Sequence, residues 1–149
     1  MKNHFDYALG YLMAMADLNA CANHQYSFDL TAVEPTDVGI ANMLKRAHPA
    51  PNWCAHIAFD IMPSKDFHMI LRKWFTDAPH MQNMVAHNSD LPDNLATSFI
   101  ALLQTAVDPH HFDVHRVDIK VSGFYECAWD DLLITSSTYN YLIHLGVSD

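Results

Sequence analysis

The sequence predicts a single α+β domain over residues 1–149, in which a mixed or antiparallel sheet with a C-terminal meander packs against helices. Three observations predict this class: helix and strand patterns alternate at the start, helical periodicity fills the middle, and two-residue alternation dominates the end. A chain of 149 residues suits one domain with one core. The sequence has no linker, repeat or low-complexity stretch that would divide it.

The first third of the chain predicts helix, strand, helix and strand in that order. Residues 5–22 place apolar side chains at helical spacing beside a narrow polar stripe, and residues 26–33 alternate between apolar and polar. The Pro-Thr-Asp sequence at 35–37 caps a short helix that ends near Ala47. Residues 53–61 are apolar on one face and mixed on the other, which predicts a central strand.

The middle of the chain is predicted to be helical. Ser64 begins the helix with the clearest i, i+3, i+4, i+7, i+8 pattern of apolar residues, and a second short helix follows Pro79. Residues 95–107 differ, because the chain has no charged residue between Asp93 and Asp108. A helix with so little polar surface is predicted to be buried in the core or in a subunit contact.

The C-terminal quarter predicts a meander of strands. Turns are expected at the Ser-Gly pair 122–123 and the Asp-Asp pair 130–131. The final segment alternates well, although Ser137 and Gly146 would also cap a helix there, and the alternation favours a strand. The predicted strands are 111–121, 124–129, 132–136 and 139–147.

The charge and apolar content of the chain indicate which classes of molecule it is expected to bind. The chain has 11 histidines against 8 lysines and arginines and 17 acidic residues, so its formal net charge is −9 at pH 7 and its pI is near 5.5. This charge opposes nonspecific attraction to nucleic acid and to anionic membranes, and it suits a basic protein partner. Half of the residues are apolar and only 17% are charged, which predicts a subunit or partner interface and a homo-oligomer.

The cysteines and the N-terminal segment bear on the cellular compartment. Cys21, Cys54 and Cys127 are odd in number and form no CxxC motif, which argues against a disulfide framework and predicts a reducing, cytoplasmic setting. We expect all three to be small buried hydrophobic residues. Residues 1–21 superficially resemble a secretory leader, but a single lysine and two aspartates favour a buried amphipathic helix.

The densest cluster of reactive side chains lies at the start of the segment 111–121. On a strand, His111, Asp113 and His115 share one face with neighbours about 6.6 Å apart, so an adjacent His and Asp could bind zinc or iron with a third ligand from elsewhere. On a helix, His111 and His115 would chelate a metal as an i, i+4 pair. The β-branched residues that follow favour the strand, and the alternative is a solvated strand entrance without a ligand.

A second pair, Cys54 and His56, lies two residues apart on one strand face. A thiolate beside an imidazolium is a minimal nucleophile, but the apolar neighbours favour a buried cysteine and a core histidine. Other catalytic signatures are missing. The chain has only four glycines, so it contains neither a phosphate-binding glycine loop nor a GxSxG motif.

Two classes of function remain open from the sequence. The first is a small acidic interaction protein that self-associates and binds and inhibits or regulates another protein. The alternative is a small enzyme whose His/Asp site combines His111, Asp113 and His115 with residues of another strand or subunit, with or without a metal. No other cofactor is expected.

Overall fold

The computed structural model describes residues 4–48, 52–107 and 111–149, and it confirms the predicted α+β fold. In these residues, five helices pack against one five-stranded sheet that is antiparallel throughout. The helices are α1 (His4–Asn19), α2 (Asp37–Ala47), α3 (Ser64–Phe75), α4 (Pro79–His87) and α5 (Leu91–Val107). The strands are β1 (Gln25–Ala32), β2 (Cys54–Ile57), β3 (Asp113–Lys120), β4 (Ala128–Thr135) and β5 (Asn140–Ser148).

The strand order is β1-β5-β4-β3-β2. The predicted C-terminal meander, β3-β4-β5, therefore forms the centre of the sheet, and the two N-terminal strands form its edges. The final segment is a strand, as its alternation predicts, and it pairs with both β1 and β4. Its central position explains why five of its nine residues are buried.

The two faces of the sheet bury different amounts of apolar surface. Helices α1, α3 and α5 pack on the first face, where the core includes Phe75, Phe99, Leu132 and Ile143. The second face has a smaller cluster, to which α2 is the one helix of the described residues that contributes side chains. Successive side chains of a strand point to opposite faces, so β4 supplies Leu132 to the first cluster and Leu133 to the second.

The prediction of a central strand at 53–61 is wrong. The strand is only Cys54–Ile57, and it lies at the edge of the sheet, where it pairs with β3 alone. The Asp37 carboxylate at the start of α2 accepts a hydrogen bond from the Ile57 backbone N–H at 2.9 Å, which satisfies one donor on this edge. The expectation of buried cysteines is also wrong, because Cys54, Cys21 and Cys127 are all exposed.

The prediction of a turn at Asp130-Asp131 is wrong as well. One continuous strand, β4, replaces the two predicted strands, and residues 121–127 form the connection from β3. Asp130 stays in the strand because its carboxylate accepts hydrogen bonds from Arg116 and from the Trp74 indole, both at 2.7 Å. The chain bends at residues 122–123, where the sequence predicts a turn, and Gly123 has a φ of 112° there, a conformation that favours glycine.

Helix α5 confirms the prediction for the uncharged segment, although it begins four residues earlier, at Leu91. Its apolar side lies in the core, with Phe99 and Leu103 fully buried, while Gln104 and the other uncharged polar residues are exposed. None of the helices in the described ranges is long and apolar enough to span a membrane.

Replacing Leu103 by Asp should therefore unfold the domain. The substitution places an unpaired carboxylate in the core, and we expect the free energy of unfolding to fall by roughly 3–5 kcal/mol. Urea denaturation followed by circular dichroism measures this change. The matched control is Gln104→Asp, which adds the same charge at the exposed neighbouring position and should change stability little. A stable Leu103→Asp variant would contradict the position of α5 in the core.

Candidate functional site

The register of the sheet places three ionisable residues side by side on the second face. His144 of β5 lies directly opposite Asp29 of β1 on one side and Asp131 of β4 on the other. Side chains directly opposite one another in an antiparallel sheet have Cβ atoms about 4.5–5.5 Å apart. One histidine is therefore flanked by two aspartates on the adjacent strands.

His144 makes its closest contacts through both ring nitrogens. Its Nδ1 lies 2.8 Å from Asp131 Oδ1, and its Nε2 lies 3.5 Å from Glu126 Oε1. The Tyr125 hydroxyl is 2.9 Å from the same Nδ1 and 3.3 Å from Asp131 Oδ2. These are buried groups: the exposed fractions of the His144, Glu126 and Asp131 side chains are 14%, 12% and 0%.

The surroundings hold His144 in its charged form. Burial alone lowers the pKa of an imidazole, but the hydrogen bonds and negative charges of Asp131 and Glu126 outweigh burial and raise the pKa of His144 to about 9. Burial and the neighbouring Asp131 and Glu126 carboxylates also raise the pKa of Tyr125 far above its ordinary value. At neutral pH the cluster is therefore an imidazolium with a carboxylate on each ring nitrogen and a neutral phenol.

Gly146 leaves the space that this arrangement needs. A Cβ atom at Gly146 would lie 2.6 Å from His144 Nε2 and 3.1 Å from the Glu126 carboxyl carbon. The 2.6 Å distance is shorter than real Cβ contacts, so a larger residue at this position would displace the His144 ring from its place beside Glu126. The requirement is one of space, because the backbone of Gly146 does not adopt a positive φ.

The connection between β3 and β4 carries Tyr125 and Glu126 over the sheet. The Cys127 backbone N–H donates to the Val147 carbonyl at 2.9 Å, which fixes the end of this connection to β5. The Tyr125 ring packs edge-on against Trp53 and is tilted against Trp129, with ring centroids 5.2 and 5.0 Å away. These contacts hold the hydroxyl of Tyr125 next to His144.

The carboxylate of Glu126 accepts fewer hydrogen bonds than it has the capacity for. Its Oε2 atom is buried and accepts no hydrogen bond from the residues that the structure describes. Its other oxygen has the long 3.5 Å contact with His144. An unsatisfied buried acceptor is unfavourable by about 1–3 kcal/mol, and more for a charged group. This carboxylate therefore has capacity for a further donor.

A cavity of about 560 Å³ opens above the cluster. Polar residues of β1 form part of its floor, the C-terminal half of α2 forms one wall, and the 121–127 connection forms another. The volume falls in the range typical of small-molecule sites. The lining residues are Ser27, Asp29, Thr31, Met43, Leu44, Arg46, Ala47, His48, Trp53, Phe124, Tyr125, Glu126, Leu142 and His144.

The residues predicted from the sequence lie elsewhere, at the start of β3. His111 Nε2 is 2.7 Å from Asp113 Oδ1, so the structure brings this pair together, whereas His115 Nδ1 donates to the Ala58 carbonyl at 3.0 Å. None of the three lines the cavity above His144. Within the described ranges, no group of three or more His, Cys, Asp or Glu residues is arranged to hold a metal. Zinc or iron at His111 and Asp113 stays a prediction that elemental analysis can test.

The sequence interpretation missed the residues of the cavity site. Two signals were available: His144 falls on the opposite face from the apolar residues that alternate along its strand, and Glu126 is one of only two glutamates in the chain. The third member of the cluster, Asp131, was expected in a turn and therefore not on a strand beside His144.

Comparison of this chain with protein-family models, with curated proteins and with solved structures finds no match.

The raised pKa of His144 predicts that the protein loses stability in mild alkali. The folded state holds the proton up to about pH 9, whereas an unfolded histidine releases it near 6.5. The stabilisation is therefore complete below pH 6.5 and is lost as the pH rises to 9, with a slope of at most about 1.4 kcal/mol per pH unit.

Urea denaturation from pH 6 to 9.5 measures this slope, and an NMR titration of the His144 imidazole measures its pKa directly. The variant His56→Gln removes an exposed histidine and should leave the slope unchanged. A titration midpoint at or below 6.5, with stability that does not vary over this range, would show that Asp131 and Glu126 do not hold the proton.

Proposed function

We propose that this protein binds a small organic molecule in the cavity above His144. The observation that carries the proposal is the buried Oε2 atom of Glu126, which accepts no hydrogen bond from the described residues and belongs to a side chain at the wall of a cavity of about 560 Å³. Buried polar groups in folded proteins are nearly always hydrogen-bonded, and each exception calls for an explanation, such as a functional role or a bound partner. A ligand that supplies a donor would remove this deficit.

Binding fits the geometry better than acid–base catalysis does. A general acid or base must exchange a proton with the substrate, but each ring nitrogen of His144 faces a carboxylate. The raised pKa also keeps the imidazole protonated at neutral pH. In this arrangement His144 acts as a fixed positive charge that holds Asp131 and Glu126 in place.

The binding proposal is tested with fragments of every charge class by protein-detected NMR. We expect at least one fragment to shift the Trp53 indole N–H and the Leu142 methyl resonances, which report on the cavity. Ser27→Trp should abolish these shifts, because Ser27 is an exposed residue on the cavity floor.

The control is His56→Trp, which introduces the same large side chain at an exposed position on the opposite edge strand. This variant should bind fragments as the wild type does. If no fragment in the millimolar range shifts the cavity resonances, the proposal is wrong.

A second candidate function, self-association of an interaction protein, is supported by a separate surface. Phe59 is 96% exposed, and Ile61, two residues further along the chain, lines an apolar groove of about 590 Å³ together with Met69 of α3. An aromatic side chain beside an apolar groove can insert into the groove of a second copy related by a two-fold axis. Asp66 and Lys73 also line the groove, so a rotated copy can pair opposite charges.

Self-association through this surface predicts that Phe59→Ser lowers the oligomeric state. We expect a concentration-dependent dimer of the wild type in sedimentation velocity, and a monomer for the variant, because truncation of an interface anchor costs about 2 kcal/mol or more. Val38→Ser removes another exposed apolar side chain, outside the groove, and should leave the dimer intact. A wild type that sediments as a monomer at all concentrations would exclude this interface.

A further inference from the structure

We infer that the molecule bound above His144 is an organic cation, an amine with an apolar or aromatic body. This inference rests on the proposed function and adds the chemical class of the ligand. Three features of the cavity carry it: the balance of charges, the contrast between His144, whose N–H groups face carboxylates, and Glu126, whose Oε2 lacks a donor, and the aromatic wall.

The charges around the cavity leave a net negative site. Asp29 and Glu126 line it, and Asp131 lies beneath it against His144. Two cations oppose these three carboxylates, the His144 imidazolium and Arg46, which is exposed in the last turn of α2. A monovalent cation in the cavity would neutralise the difference.

The orientation of the His144 N–H groups disfavours an anion next to the imidazolium. Both ring nitrogens of His144 face carboxylates, so the imidazolium has no free N–H for a ligand. Glu126, in contrast, needs a donor and has only the long contact with His144. Its Oε2 is enclosed, but the last torsion of a glutamate side chain is soft, so a small rotation can turn the carboxylate toward an ammonium in the cavity. Asp29 Oδ2 accepts a hydrogen bond from the Thr31 hydroxyl, and this residue adds a second carboxylate to the lining of the cavity.

The apolar part of the lining suits the body of such a ligand. Trp53 and Tyr125 meet edge to face at one side of the cavity, and Phe124 is largely exposed next to them. Aromatic faces attract organic cations through their quadrupole, and they also pack against apolar groups. Met43 and Leu142 extend this apolar surface.

The test compares three ligands with the same aromatic body and different charge: 2-phenylethylamine as the cation, 2-phenylethanol as the neutral analogue and 3-phenylpropionate as the anion. Their dissociation constants at pH 7.5 are measured by NMR titration of the wild type. We expect the amine to bind at least about tenfold more tightly than the alcohol, because a charge-assisted hydrogen bond contributes more than a neutral one. The anion should bind most weakly.

The role of Glu126 is tested with Glu126→Gln, which should weaken the amine about tenfold and leave the alcohol unchanged. The matched control is Glu34→Gln, which makes the same change at the other glutamate of the chain, an exposed residue outside this cavity. It should leave all three dissociation constants unchanged. The comparison of the three ligands on the wild type remains decisive if Glu126→Gln does not fold.

The outcomes separate the two proposals. If the alcohol or the anion binds as tightly as the amine, the cation inference is wrong and the binding function stands. If none of the three binds, the cation inference is wrong, and the fragment experiment above decides the binding function. If Glu126→Gln weakens all three ligands equally, Glu126 maintains the shape of the cavity and does not recognise charge, which overturns its assigned role.

Discussion

The buried ion pair between Asp131 and His144 is the interaction on which the second face of the sheet depends. A carboxylate with no exposed surface is strongly unfavourable unless a charge and hydrogen bonds compensate it, and here His144 and the Tyr125 hydroxyl supply them. The pair joins two central strands, and through Tyr125 it also positions the connection at 121–127. Removal of His144 would leave the Asp131 carboxylate buried without an opposite charge, so the cavity floor, its wall and the pairing of β4 with β5 are stabilised together.

The elements that the sequence predicts well are those whose pattern is local. Helix α3 follows from five apolar residues at helical spacing, and α5 follows from an uncharged run that begins after Asp93. The last strand follows from alternation over nine residues, which outweighs the capping tendencies of Ser137 and Gly146. In each case burial against the sheet selects the same conformation that periodicity favours, so local and tertiary preferences agree.

The wrong predictions lie where contacts with residues distant in the sequence determine the local structure. Asp130-Asp131 is a turn sequence by intrinsic preference, but four groups from other elements bind the two carboxylates and keep β4 extended. The segment 53–61 resembles a central strand because one of its faces is apolar and the other is mixed, yet strand order depends on the whole topology. The local density of His and Asp led to the candidate site at 111–115, which stays a prediction, whereas the register of three strands assembles the His144 cluster, an assembly that no local pattern reveals.

The position of the cavity follows from the unequal covering of the sheet. Three helices cover the first face, but α2 is the one helix of the described residues that contributes side chains to the cluster on the second face. An 11-residue helix is about 16 Å long and about 10 Å wide, so it cannot cover a sheet of five strands that extends roughly 19 Å across the strands.

The uncovered part lies over β1 and β5, and there the second-face residues of β1 are polar: Ser27, Asp29 and Thr31. The connection at 121–127 closes one side of this region and leaves the rest open. A charged floor beneath an open cavity is thus the consequence of one short helix on a wide sheet, and the buried ion pair of Asp131 with His144 holds the charged side chains of that floor in place.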